Sequence, residues 1–174
     1  ARAGAMSARG GGRAWQRMLS GRRLDLLDPS PLDVEIEDIA HGLSRVARWN
    51  GQTAGDDVYS VAQHSLFVDA IALHLDPAAA RRGQLAVLLH DAAEYVVGDL
   101  ISPFKAVLGG EYRDVEKRIL GAVMIRFGLP PALDGAAARA AKAADLIAAR
   151  DEAVALAGFS EEEAERYFGA RRRL

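Results

Sequence analysis

His90, Asp91 and Glu94 interrupt an otherwise apolar stretch, Leu85 to Leu100 (LAVLLHDAAEYVVGDL), and Asp99 follows just past a glycine. Burying an ionised carboxylate without a partner is very costly, so buried charges are usually paired or bound to a metal. The stretch is long enough for a buried helix, and an imidazole with two acids inside it calls for a divalent ion. On one continuous helix His90 and Glu94, four apart, share a face, with Asp91 three residues from Glu94. Asp99 leaves the helix end and can turn back toward the same place.

Two further residues join this set. His64 heads the stripe His64, Phe67 or Val68, Ile71, Leu75, the core-facing side of its own helix. Alone it reads as a satisfied core histidine. Asp145 sits in the middle of an alanine-rich helix, where Asp has poor propensity and packing or function must hold it. Alone it reads equally as a solvent-facing acid. Together, two imidazoles and two carboxylates from three helices suit one divalent ion such as manganese, cobalt, iron, nickel, zinc or magnesium. Four protein ligands leave positions for water and a phosphate oxygen.

The elements that must position these residues follow from caps and periodicity. Trp15 to Leu27 makes a brief strand or an extended arm, ended by Pro29 and Pro31. Asp33 to Thr53 reads as one helix, with Ile36, Ile39, Leu43 and Val46 at helical spacing. His41, Arg45 and Arg48 then fall on one stripe, with Trp49 beside Arg48 at the helix end. An Arg next to an aromatic there suits a phosphate and a base or sugar. Ser60 and Gln63 form a capping box that starts a helix at Val61, and His74 near its end is a surface residue. Asp76-Pro77 caps the next helix, which is expected to run to Val97 with Gly98 as its stop. Ser102-Pro103 caps a short helix carrying Lys105, a cation beside a helix N-terminus. Gly109-Gly110 separates it from an amphipathic helix over residues 111–128. Asp134 caps the alanine-rich helix, and Ser160 with Glu163 caps a last short one. No run alternates well enough for a sheet.

The chain has 174 residues, half of them hydrophobic and 26% charged, with a net charge of −2. That is ordinary for a globular protein, expected here as a single domain over 15–174 after a flexible tail, 1–14. Met6 within that tail is a candidate start, and the final ARRRL reads as a solvated tail. The charge gives no sign of a nucleic-acid or membrane surface. With no cysteine, disulfides, thiolate zinc sites and cysteine nucleophiles are excluded. No apolar run reaches the roughly 18 residues of a membrane span. A cytoplasmic protein is expected.

The order H…HD…D resembles the metal signature of the HD-domain phosphohydrolases, an all-helical superfamily, over roughly Asp33 to Gly158. The bacterial HD-domain 5′-deoxynucleotidase group is the nearest resemblance. It shares an Arg-Trp pair (Arg48-Trp49), an EHS-like segment (Gln63-His64-Ser65), HDxxE (His90 to Glu94) and GDLxxPxK (Gly98 to Lys105). EYxxxEK (Glu111 to Lys117) and KxAD (Lys142 to Asp145) complete the set. The resemblance implies an all-α HD-domain helical bundle and one divalent metal held by His64, His90, Asp91 and Asp145. It implies hydrolysis of a phosphomonoester, with deoxynucleoside 5′-monophosphates favoured. Arg48, Trp49 and Lys105 would bind substrate, Glu94 would orient water or move a proton, and Asp99 would assist the leaving oxygen. A homodimer is a further expectation. The chain departs from that group in its segment Trp15 to Pro31, in Gln63 for a glutamate, and in a shorter C-terminal end. Tyr95 departs from the HDxxED of alarmone hydrolases, and His41 and His74 are poorly placed for a second metal. Hydrolysis of nucleoside triphosphates or pyrophosphates, or metal- and nucleotide-binding regulation with little turnover, stand as alternatives.

Overall fold

The computed structural model describes residues 13–108, 110–132 and 135–170. The expectations for the first 12 residues of the tail, Gly109, the Asp134 cap and residues 171–174 lie outside the described residues. The fold is all-α, with eight α-helices and one two-stranded hairpin among the described residues. No helix there is long and apolar enough to cross a membrane.

The N-terminal segment is a hairpin, which corrects the expectation of a lone strand or arm and of no sheet. Strands β1 (Trp15–Arg17) and β2 (Arg23–Asp25) pair antiparallel, with Gln16 opposite Leu24. Gly21, at φ +92°, supplies the left-handed turn residue that an L side chain adopts only with strain. Met18 and Leu24 point into the core. The Ser20 amide and hydroxyl donate to the buried Asp38 carboxylate, tying the turn to the next helix.

Helix α1 spans only Ile36–Leu43, not the whole of residues 33–53. The chain turns at Ser44 and Arg45, and the Arg45 guanidinium folds back onto the His41 carbonyl and the Ser44 hydroxyl. The expected stripe of His41, Arg45 and Arg48 therefore does not exist. Arg48 opens a separate short turn, Arg48–Gly51, in which Trp49 and Asn50 have left-handed φ of 57° and 51°.

Helix α2 (Val61–Leu75) begins where its capping box predicts, with both reciprocal bonds formed. His64, Val68 and Ile71 are buried, whereas Leu75 is exposed. His74 is exposed, as expected. Helix α3 (Pro77–Leu88) stops well short of Val97; residues 89–93 are turns, and α4 is the single turn Glu94–Val97. Gly98, at φ +78°, ends it as predicted. Helix α5 (Ser102–Leu108) starts one residue earlier than expected: the Ile101 carbonyl, not Ser102, receives its first amides. Helices α6 (Gly110–Arg126), α7 (Gly135–Ala155) and α8 (Glu161–Phe168) follow, the last with its capping box intact.

Two apolar cores result. One joins the hairpin, α1, the start of α2, residues 89–95 and α6. The other joins α2, α3 and α7. The small residues Ala141, Ala144 and Ala148 are buried on α7, which allows close approach of the helices. Val87 belongs to the second core and Leu89 to the first. Along α2, Val61 and Val68 divide in the same way. His64 and His90 lie at the seam between the two cores, and the break after α3 lets the chain pass from one to the other.

Candidate metal centre

His64 lies in the first turn of α2, fixed by the Ser60 cap, and is fully buried. Gln63 serves that cap: its side-chain oxygen accepts from the Ser60 amide at 2.8 Å. The His64 Nδ1 meets Glu152 Oε1 at 2.6 Å. Its Nε2 faces two carboxylates, Asp145 Oδ1 at 3.4 Å and Asp91 Oδ2 at 3.6 Å.

His90 owes its orientation to the break in the helix. Its Nδ1 donates to the Val87 carbonyl at 2.8 Å, since a carbonyl only accepts. The His90 amide bonds the same carbonyl at 3.2 Å. The amides of Ala92, Glu94 and Tyr95 bond three residues back, the tighter 3₁₀ pattern. This turns His90 Nε2 toward Asp91 Oδ2, 3.2 Å away.

His64, His90 and Asp145 each offer one ligand atom, all within 4.8 Å of one another. Asp91, the fourth residue expected, faces the two Nε2 atoms at the distances above. Both Nε2 atoms are buried with no hydrogen-bond partner among the described residues. In either protonation state Nδ1 of each ring keeps its hydrogen on an oxygen acceptor. Nε2 alone is open to exchange a proton for a metal ion, and holding Nδ1 in this way orients a metal-binding imidazole. The donor set, two imidazoles and carboxylate oxygens without thiolate, fits a borderline divalent ion.

Opposite charges offset the cost of burial within the cluster. Burial works against a charged His64, but Asp145, Asp91 and Glu152 outweigh it and push its pKa up to about 10. His90 is raised despite its burial, chiefly by Asp91. Burial raises the pKa of Asp91 and Asp145, yet the two histidines hold both below the usual range.

Glu152 was not singled out in the sequence, yet it joins His64 to Arg48 and Trp49. It is 2% exposed and sits seven residues after Asp145 on α7. Oε1 accepts from His64 Nδ1 and from the Tyr59 hydroxyl at 3.2 Å. Oε2 accepts from Arg48 Nε at 3.3 Å and Trp49 Nε1 at 3.1 Å. Burial raises its pKa, but His64 and Arg48 bring it below normal. The signal was present in the spacing: two helical turns place Glu152 and Asp145 on one face.

Arg48 is brought to the site by this network and not by a helix. Nη1 reaches Asp99 Oδ2 at 3.3 Å, and Nη2 lies 4.0 Å from Asp145 Oδ1. Burial opposes its charge, but Asp99 and Glu152 outweigh that and keep it firmly protonated. Its amide donates to the Tyr59 carbonyl at 2.8 Å, locking the turn to the start of α2. Trp49 is committed to Glu152 and to an aromatic cluster, with Phe159 and Phe168 ring centres 5.8 and 5.9 Å away.

Glu94 and Asp99 are both buried. Burial first, then the charges of Asp91 and Asp99, push Glu94 up to about 9 while no ion is bound. Asp99 is tied to Arg48, as a carboxylate turned back toward the cluster must be. Lys105 Nζ lies between Glu116 Oε1 at 3.0 Å and Glu94 Oε1 at 3.5 Å. The structure thus brings His64, His90, Asp91, Asp145, Arg48 and Asp99 together, with Glu94 and Lys105 paired beside them.

No family model matches the chain. It is 60% identical over 157 residues to the uncharacterized protein RCAP_rcc00048 of Rhodobacter capsulatus, a match covering 90% of this chain and 80% of that one. It is 31% identical over 101 residues to the uncharacterized protein YfdR of Escherichia coli. That second match covers 58% of this chain and about half, 51%, of YfdR.

Proposed function

For this chain, which belongs to the same family as the Rhodobacter capsulatus protein, we propose a divalent-metal-dependent phosphohydrolase of the HD-domain type. Its substrate is a (deoxy)nucleoside 5′-monophosphate or a close relative. The observation that carries the reading is the pair of buried, unpartnered Nε2 atoms facing Asp91 and Asp145, with the Arg48 cation alongside. His64, His90 and Asp145, with Asp91 opposite the same nitrogens, would hold the ion. When bound, such an ion lowers the pKa of water and polarises a phosphoryl oxygen.

The remaining work falls to side chains. Phosphoryl transfer depends on positioning and charge stabilisation. Arg48 has Nε and Nη1 held by Glu152 and Asp99, leaving Nη2 toward the ligand cluster for a phosphate oxygen. Glu94, buried three residues from Asp91, is placed to carry a proton to the leaving oxygen. Lys105 holds Glu94 in place and offers a second positive charge. Asp99 fixes Arg48.

The test is a screen of deoxy- and ribonucleoside mono- and triphosphates against several divalent ions, reading the products. Inorganic phosphate from monophosphates supports the proposal. Pyrophosphate or triphosphate release moves the chain to triphosphate hydrolysis. Metal binding without turnover of any of these substrates makes it a binding protein and defeats the proposal.

A further inference from the structure

We propose that Glu152 is a positioning residue that transmits metal occupancy at His64 to the Arg48–Trp49 turn. The inference rests on the reading of His64 as a metal ligand. It concerns what the two oxygens of one carboxylate do separately. Oε1 serves the metal side, through His64 Nδ1 at 2.6 Å, with the Tyr59 hydroxyl at 3.2 Å. Oε2 serves the turn, through Trp49 Nε1 at 3.1 Å and Arg48 Nε at 3.3 Å.

Four donors use the lone-pair directions of a carboxylate. At 2% exposure water cannot replace any of them. Glu152 therefore cannot rotate without breaking several buried hydrogen bonds, and a displacement at one oxygen reaches the other.

The turn is built to respond. Trp49 and Asn50 both occupy the left-handed region, at φ 57° and 51°. A bulky residue such as Trp stays there only when surrounding structure holds it. Here the hold is the indole N–H on Oε2 and the tilted and edge-on ring contacts with Phe159 and Phe168. An ion seated on His64 Nε2 draws charge from the ring and alters how strongly Nδ1–H is donated to Oε1. The carboxylate charge left for Oε2 changes with it, and so does the grip on Trp49 and Arg48. By linkage the effect is reciprocal: the turn's conformation sets the metal affinity.

The chain has two tryptophans, so Trp15→Phe leaves Trp49 as the sole indole reporter. Chelator-treated Trp15→Phe protein is titrated with Zn²⁺, a d¹⁰ ion without redox chemistry, by calorimetry and by indole emission together. The expected result is an emission change that saturates in step with one bound Zn²⁺. Adding Glu152→Gln should weaken Zn²⁺ about 10–100-fold, the usual effect of losing the partner of a ligating histidine. At saturation its emission should stay flat. Glu152→Asp, which keeps the carboxylate, should restore part of both. Bound Zn²⁺ with unchanging Trp49 emission overturns the inference, and this arm needs no change at Glu152. A Glu152→Gln protein with wild-type affinity and response overturns it as well. Failure of the parent protein to bind Zn²⁺ in the calorimeter removes the metal reading itself, and the inference with it.

Discussion

Asp145 and Asp91 approach His64 Nε2 from different elements, at 3.4 and 3.6 Å. One is on a regular helix and one in the turns between α3 and α4. If both serve one ion, neutralising either should have a similar effect despite their different backbones. Asp145→Asn and Asp91→Asn keep side-chain volume but remove the anionic ligand. Each should weaken Mn²⁺ or Zn²⁺ at least as much as the ~10–100-fold that loss of an outer partner costs. Calorimetry on chelator-treated protein measures this. An unchanged affinity for Asp91→Asn would reduce the site to the tighter group of His64, His90 and Asp145. At this scale the sequence was informative about chemistry: residue type and an apolar setting pointed to His64, His90 and Asp145, whose ligand atoms the structure gathers within 4.8 Å of one another. Glu152 escaped because it sits in DEAVALAG (residues 151–158), where an acid beside another acid reads as a solvated helix face. Only the fold shows that its neighbours are His64, Arg48 and Trp49.

Among the elements, α1 and α4 meet more closely than their side chains would normally allow. A Cβ built at Gly42 would lie 2.8 Å from Tyr95 Cβ and 3.2 Å from its backbone. Tyr95 follows Glu94, so this contact sets the depth of the acid in the site. Gly42→Ala should push α4 outward and destabilise the protein by about 1–3 kcal/mol, as overpacking does. Urea unfolding would measure it, and a cost near zero would mean that α4 is held from elsewhere. Caps were legible in the sequence because they are local: Ser60 with Gln63 and Ser160 with Glu163 form as their spacing requires. The break at residues 89–93 was not. LAVLLHDAAEYVV is apolar enough for one continuous buried helix and holds no glycine or proline to stop it. What ends α3 is tertiary, namely the passage between two cores and the His90 ring on the Val87 carbonyl. The same applies to residues 44–53, whose helical periodicity yields to contacts of Arg48 with Tyr59 and Glu152.

For the molecule as a whole, the cluster couples stability to pH with a definite sign when no metal is bound. His64 has its pKa pushed up to about 10 from an ordinary 6.5. The folded form thus binds more protons than the unfolded one between those values. Its stabilisation is complete below about 6.5 and is lost as pH rises toward 10. Glu94, raised from 4.5 to about 9, acts in the same direction over its own window. Asp91, Asp145 and Glu152 are depressed and act oppositely: their contribution is present above the usual carboxylate range and is lost as pH falls below it. Metal-free protein should therefore lose melting temperature steadily from pH 6 to 8.5. A divalent ion competes with protons at both Nε2 atoms, so its affinity and its stabilising effect should grow over that same interval. Thermal melts of chelator-treated protein at pH 6, 7 and 8.5, with and without Mn²⁺ or Zn²⁺, test both halves. A metal-free melting temperature that rises from pH 6 to 8.5 would place the protons elsewhere. A thermal gain from metal that shrinks over the interval would show that the ion does not replace the histidine protons.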